Sequence, residues 1–363
     1  MKAAFPYMGN IRIPLRPILE TLGARVVIPP GPNQEILDLG ARLSPELMCI
    51  PFKVTLGNMV RSLEMGADTL VYVSGSWSCR FGYYGRLQAE ILKDLGYRFK
   101  LLELRHDRLG TACREIIGLS GGSLPRTLNR AARAFRLGWL KSSALEEAET
   151  LARDSLPRAG DRREVKRTFD LALRAIERTD KPRDIARLRS TMPARFRALA
   201  RNGCNWLPRV KLVGESYCTL EPFVNFDIIR RLGEMGVLVE PFLTAHRWLG
   251  FHGFRLGRSE PQQAKEAARE YWRMCVGGED ENSLGYMIMA AKQGFDGVIH
   301  VHPFGCMPGT CVQPSMSRAS KDYDIPYLSV SLDEHTSEAG VLTRLEAFVS
   351  LLKRRGPRHR NTD

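Results

Sequence analysis

One structural unit is written twice in this chain, and each copy ends in a cysteine. The first reads Gly66-Ala-Asp-Thr-Leu-Val-Tyr-Val-Ser-Gly-Ser-Trp-Ser-Cys79; the second reads Gly294-Phe-Asp-Gly-Val-Ile-His-Val-His-Pro-Phe-Gly-Cys306. In both, an amphipathic helix runs into a Gly turn, an Asp, a β-branched strand and a loop of small residues. A continuous apolar, β-branched run bounded by Gly is the pattern of a buried parallel strand. Open α/β sheets bind their ligands beyond the carboxyl ends of such strands. A duplicated α/β unit therefore places one thiol at the ligand-binding edge of each half. Two soft ligands facing one cleft suggest a metal or a cluster.

The rest of the chain follows the same rhythm. Strands are expected at Lys2–Met8, Ala24–Pro29, Thr69–Ser74 and Arg98–Leu104, with helices at Leu15–Leu22, Asn33–Leu43, Val54–Met65 and Tyr84–Leu95 between them. From about Gly110 to Gly203 the strand signal stops. Ala, Leu, Arg and Glu then recur at helical spacing, punctuated by Pro157, Pro182 and Pro193. The α/β alternation resumes with strands at Lys211–Gly214, Val237–Phe242, Gly297–His302 and Tyr327–Ser331. Helices are expected at Phe226–Met235, Gln262–Arg273, Ser283–Gln293, Gln313–Tyr323 and Gly340–Leu352. The expected fold class is α/β: two similar parallel-sheet domains, Rossmann- or flavodoxin-like, related by internal duplication and separated by a helical insertion. The boundaries are an N-terminal α/β domain over 1–109, the insertion over 110–205, a C-terminal α/β domain over 206–356 and a tail over 357–363.

Composition narrows the compartment and the partners. No apolar run approaches the roughly 20 residues that span a bilayer, and the start, Met1-Lys-Ala-Ala-Phe-Pro-Tyr-Met-Gly, reads as a strand rather than a signal peptide. A cytoplasmic protein is expected. The 8 cysteines are scattered through 363 residues, too sparsely for a secreted disulfide scaffold, so buried inert thiols, a catalytic thiol or metal ligands are the options. The net charge of +14 is concentrated: from Arg126 to Arg201 there are 20 Lys and Arg against 10 Asp and Glu. Such a surface favours anionic partners such as CoA phosphates or an acidic protein, or is simply a solvated helical face. Aromatics are few there, and no nucleic-acid-binding signature appears, so neither nucleic acid nor membrane is an expected partner.

Each candidate residue has a physical reason. Cys79 lies between Gly75 and Gly82, and the neighbouring Arg80 would lower a thiol pKa or offset an anionic cluster. Cys306 stands in Pro303-Phe-Gly-Cys306-Met-Pro-Gly-Thr-Cys311, an irregular loop set by Pro and Gly. Cys49 precedes a helix whose N-terminal dipole would stabilise its thiolate. Cys49, Cys79 and Cys306 thus form a candidate three-thiolate set for zinc or an iron–sulfur cluster, with inert thiols the alternative. Cys-x-x-Cys pairs are absent, and Cys306-x4-Cys311 is the one close pair. Cys275 stands before its helix much as Cys49 does. Cys113, Cys204 and Cys218 have no such context and are expected to be buried. His300 and His302 share a strand face and could join a zinc site or belong to the core. Glu215 and Asn225 follow a strand end and serve either the cleft or a helix cap. His335, in Asp333-Glu-His335-Thr-Ser-Glu338, could exchange protons near neutral pH. No phosphate-binding P-loop, dinucleotide fingerprint, nucleophile elbow or His-Glu-x-x-His motif occurs, so ATP hydrolysis and dinucleotide binding are not expected on this chain.

Taken together, Phe5-Pro-Tyr-Met-Gly-Asn, Cys49-Ile-Pro-Phe-Lys53-Val-Thr-Leu-Gly-Asn, Cys79-Arg-Phe-Gly-Tyr-Tyr84, Gly214-Glu215-Ser-Tyr, Pro303-Phe-Gly-Cys306-Met-Pro, Leu332-Asp-Glu-His-Thr-Ser-Glu-Ala-Gly and Thr343-Arg-Leu-Glu-Ala-Phe resemble the 2-hydroxyacyl-CoA dehydratase superfamily, in its CoA-substrate-specific enzyme activase-related branch. The resemblance covers both α/β halves. It implies a [4Fe-4S] cubane held by three cysteines, which map onto Cys49, Cys79 and Cys306, with the fourth iron position open. Arg80 and Lys53 would offset the cluster's charge, and Glu215, His335 or Tyr84 would supply protons. The resemblance also implies electron transfer from an ATP-dependent activator with its own cluster, radical chemistry on an acyl-CoA, and a homo- or hetero-dimer. Related double-cubane proteins reduce small molecules; that alternative would draw Cys275 and Cys311 into the ligand set. A non-catalytic accessory subunit is the remaining alternative. Cys311 is not part of the family's Cys-Met-Pro motif, and the substrate is not legible.

Overall fold

The computed structural model describes residues 1–75, 79–105, 124–200, 206–254 and 259–357. They form two compact units: one made of 1–144 with 176–185, the other of 145–175 with 186–363.

The first unit opens with β1 (Lys2–Ala4), α1 (Arg12–Thr21), β2 (Arg25–Val26), α2 (Gln34–Leu43) and α3 (Ile50–Glu64). It continues with β3 (Thr69–Ser74), α4 (Tyr84–Asp94) and β4 (Lys100–Arg105). Its four strands lie in the order β2-β1-β3-β4, all parallel. Sequence patterning overestimates the first two strands. Pro6 has no N–H to continue the ladder, so β1 ends at Ala4, and β2 can pair only as far as β1 lasts. Alternation along β3 decides what covers each face. Leu70 and Tyr72 pack with Phe52, Leu56 and Met59 of α3 and Leu92 of α4. Val71 points the other way, to Ala3, Leu19 and Leu102. Both faces are covered, as the continuous apolar run requires.

The insertion supplies three long helices, α5 (Leu124–Ser155), α6 (Arg162–Arg178) and α7 (Pro182–Arg197). Residues of all three are shared between the two units. Pro157 lies in a 3-10 turn after α5 and Pro182 starts α7, positions that tolerate the missing N–H, whereas Pro193 lies inside α7 without ending it. Lys141 is buried by α6 and the turn after it, where its ammonium reaches Asp180 at 2.8 Å and donates to the Glu177 carbonyl at 2.8 Å.

The second unit carries β5 (Arg209–Gly214), α8 (Ser216–Leu220), α9 (Ile228–Glu234), β6 (Leu238–Pro241), α10 (Ala245–Trp248), α11 (Ser259–Ala268) and α12 (Asp280–Lys292). β7 (Gly297–Pro303), α13 (Met307–Cys311), α14 (Gln313–Asp322), β8 (Tyr327–Leu332) and α15 (Glu338–Arg355) complete it. Its strands are parallel in the order β6-β5-β7-β8, the first sheet's order over again. The likeness extends to the helices before the central strands. A methyl on Gly57 of α3 would lie 2.1 Å from the Ile36 carbonyl of α2, and one on Gly285 of α12 would lie 1.8 Å from the Ala264 carbonyl of α11. Each glycine lets two helix backbones touch at the same point of the repeat. Among the described residues no helix is long and apolar enough to cross a membrane.

Candidate functional site

In a 2-1-3-4 parallel sheet the connections leave the two central strands in opposite directions, which opens a crevice at their carboxyl ends. The candidate cysteines lie at that edge of each sheet. In the first unit Cys49 caps the N-terminus of α3, with φ −72° and ψ 156°, and its carbonyl accepts from Phe52 N–H at 3.0 Å. Cys79 caps the 3-10 turn Arg80–Tyr83 that leads into α4, with φ −73° and ψ 138°. In the second unit Cys306 caps α13 with φ −72° and ψ 108°, and its carbonyl accepts from Thr310 N–H at 2.8 Å. All three thus hold the same extended backbone at a helix start. None of the three thiols serves as the cap acceptor, and all are free of disulfides. Cys306 is buried, while Cys49 and Cys79 are half-buried.

Around the first-unit cysteines, Tyr84 and Arg80 are the ordering groups. The Tyr84 hydroxyl meets Cys49 Sγ, and its ring is fixed edge-on against Phe52 at 4.9 Å. Because Tyr84 begins the helix after β3, this contact draws the start of α3 to the carboxyl edge of β3. The Arg80 guanidinium reaches back to the Leu47 carbonyl at 3.3 Å and Met48 Sδ at 3.9 Å, tying down the segment that enters Cys49. Lys53, in the first turn of α3, is half-buried.

In the second unit Glu215 occupies the carboxyl end of β5, and its N–H donates to Val301 O of β7 at 2.9 Å. Its carboxylate caps α8 by accepting from Tyr217 N–H at 3.0 Å and Cys218 N–H at 2.8 Å. Withdrawal of the carboxylate from water raises its pKa, against the pull of those two amides. Glu279, a residue the sequence did not single out, caps α12 in position and has a pKa raised by burial. It accepts from Ser216 Oγ at 2.6 Å and Asn282 Nδ2 at 2.6 Å. Burial also lowers the pKa of His300 and His302, so both are neutral imidazoles.

The family model for the 2-hydroxyglutaryl-CoA dehydratase D-component matches residues 161–352, just over half of the chain. The chain belongs to that family. No curated protein matches it. The matched stretch of the D-component family takes in Glu215, Cys306 and His335; Cys49 and Cys79 precede it.

The remaining candidates have other surroundings. Cys275 is exposed and stands ahead of α12, whose capping position is taken by Glu279. Its thiol, Asp280 and Glu281 lie within 4.8 Å of one another. Burial of the sulfur and these two carboxylates raise its pKa, which disfavours a thiolate. Cys311 is exposed at the end of α13. His335 is exposed in a turn where its N–H donates to Asp333 Oδ1 at 3.0 Å. Asn225 is a buried cap, donating to the Cys218 carbonyl at 2.7 Å and accepting from Ile228 N–H at 3.2 Å. Cys218 is fully buried; Cys113 and Cys204 lie outside the described residues. A Glu directly after a Gly-Gly pair and just before a helix was the signal that would have found Glu279.

Proposed function

We propose that the chain is the cluster-bearing component of a 2-hydroxyacyl-CoA dehydratase-type system, with Cys49, Cys79 and Cys306 as the ligands of one [4Fe-4S] cluster. The observation that carries this reading is the shared backbone geometry of three cysteines, each at a helix start beyond a parallel sheet, in a chain of this family. The donor set fits the group: three soft thiols, one of them at the positive end of a long helix, suit an iron–sulfur cluster and leave one iron without a protein sulfur. When bound, the cluster would supply one low-potential electron, received from a separate ATP-dependent activator, to an acyl-CoA thioester.

The chain's own residues do the rest. With Cys49 as a thiolate ligand, the Tyr84 O–H would donate to its Sγ, drawing charge from that sulfur and raising the potential at which the site accepts an electron. Arg80 fixes the segment before Cys49, and Lys53 adds positive charge one turn beyond it. Glu215, whose pKa burial raises, would be the proton-exchanging carboxyl at the strand end of the second sheet. A homo- or hetero-dimer with a related subunit belongs to the same reading.

The test is iron and acid-labile sulfide per chain, with a visible spectrum, on protein purified and reconstituted without oxygen. About four irons, lost in Cys49→Ser, Cys79→Ser and Cys306→Ser alike, is the expected result. About eight would favour a double-cubane reductase with further thiolates. No iron and a colourless protein would overturn the proposal in favour of an accessory subunit.

A further inference from the structure

β7 ends in His300-Val-His302-Pro303, and both imidazoles are buried on one face of it, stacked at 4.9 Å. His302 Nδ1 lies 3.0 Å from the Pro303 carbonyl oxygen. A carbonyl only accepts, so Nδ1 carries the ring proton. Nε2 is then the acceptor, and it meets the Gln313 amide at 2.9 Å and the Ser329 hydroxyl at 3.2 Å. Three hydrogen-bond partners therefore hold one neutral tautomer in one orientation.

The same Pro303 carbonyl accepts the backbone N–H of Cys306 at 3.2 Å. One oxygen thus joins the imidazole to the turn that carries the thiol. The Phe304 side chain is 66% exposed, and Gly305 has φ +68° with open space around it. The turn's geometry is set by backbone bonds: Cys306 N–H to Pro303, and Phe304 N–H to the Leu332 carbonyl at 2.8 Å. Gly309 of α13 closes over the arrangement. A methyl there would lie 2.7 Å from His302 Cβ and 3.3 Å from Cys306 Sγ, so histidine and thiol pack against one glycine.

We propose that His302 is a positioning residue for Cys306: through the Pro303 carbonyl, its ring fixes the turn that presents the thiol. That the thiol is presented to an iron–sulfur cluster rests on the function proposed above; the positioning itself does not.

Two substitutions separate the ring's two ends. In His302→Asn the side-chain amide takes the place of Nδ1 and keeps the bond to Pro303. In His302→Gln it takes the place of Nε2, keeping Gln313 and Ser329 but releasing Pro303. The measurement is the rate at which iodoacetamide alkylates Cys306 in the full-length, cluster-free chain, read residue by residue by mass spectrometry. His302→Asn should label within about twofold of the native rate, and His302→Gln about fivefold faster, the ratio expected when one ordinary hydrogen bond no longer opposes local opening. Equal rates in the two variants, or a native rate in His302→Gln, would overturn the proposal. If His302→Gln does not fold, His302→Leu, which also releases Pro303 from the ring, takes its place; a native rate there is equally fatal. After reconstitution, His302→Asn should retain the native visible spectrum and His302→Gln should not. A native chain that takes up no iron would remove the ligand role alone, because the alkylation contrast still judges the positioning.

Discussion

Tyr84 offers a direct way to probe a thiol without removing it. Tyr84→Phe keeps the ring packed on Phe52 and Phe81 but deletes the hydroxyl that meets Cys49 Sγ. A thiolate deprived of a donor is less stable, so Cys49 should alkylate about five to ten times more slowly at neutral pH. In the reconstituted protein the reduction potential should move down; an unchanged potential and rate would remove Tyr84 from the site. The three cysteines were legible because each carries its position in its neighbours: a strand end before it, or Pro and a helix after it. Glu215 was legible as a strand-end carboxylate, but whether it served a cleft or a cap was not. The answer depends on two amide groups that only the folded turn brings to it. Gln313 and Ser329 were not legible at all. They meet His302 from α14 and from β8, and no local pattern records that convergence.

Helix packing rests on a few points of backbone contact. Gly285→Ala places a methyl 1.8 Å from the Ala264 carbonyl, and neither backbone can yield without parting α11 from α12. A loss of about 3 kcal/mol or more in urea denaturation is expected, at the severe end for overpacking. Asn33→Ala should cost less, about 1 kcal/mol, through the loss of the 3.0 Å bond from Ile36 N–H that caps α2. The long elements were legible because burial on both faces writes β-branched runs, and one-sided burial writes the helical period. The edges were not. β2 is short because its partner strand is short, and α7 continues through Pro193, which the sequence offers as punctuation.

The second unit should also record its buried histidines in its stability. Burial lowers the pKa of His300 well below its ordinary 6.5, helped by the nearby His302, and burial lowers that of His302 as well. The unfolded chain therefore takes up protons near pH 6.5 while the folded one does not, and stability falls as pH drops below that point. The loss approaches about 1.4 kcal/mol per pH unit for each fully neutral ring. Glu215 and Glu279 act in the opposite sense: their raised pKa values contribute stability at low pH that is lost as pH rises past 4.5. His300→Phe isolates the first effect. Its urea midpoint should fall less than the native one between pH 7 and pH 5, and parallel curves would show that His300 titrates freely in the folded protein.

The chain passes from one unit to the other within α5, within α6 and within α7, so neither unit is a continuous stretch of sequence. This bears on the order in which the protein can be made. When the last strand of the first sheet has been synthesised, that unit still lacks residues 176–185. Arg12 then has no Glu177, and Lys141, once it is made, has no Asp180 until the chain has grown through the insertion. A nascent chain must wait for the far end of the insertion before its first unit can close. A gene fragment cut after the first sheet will never receive those anions, however complete its strands.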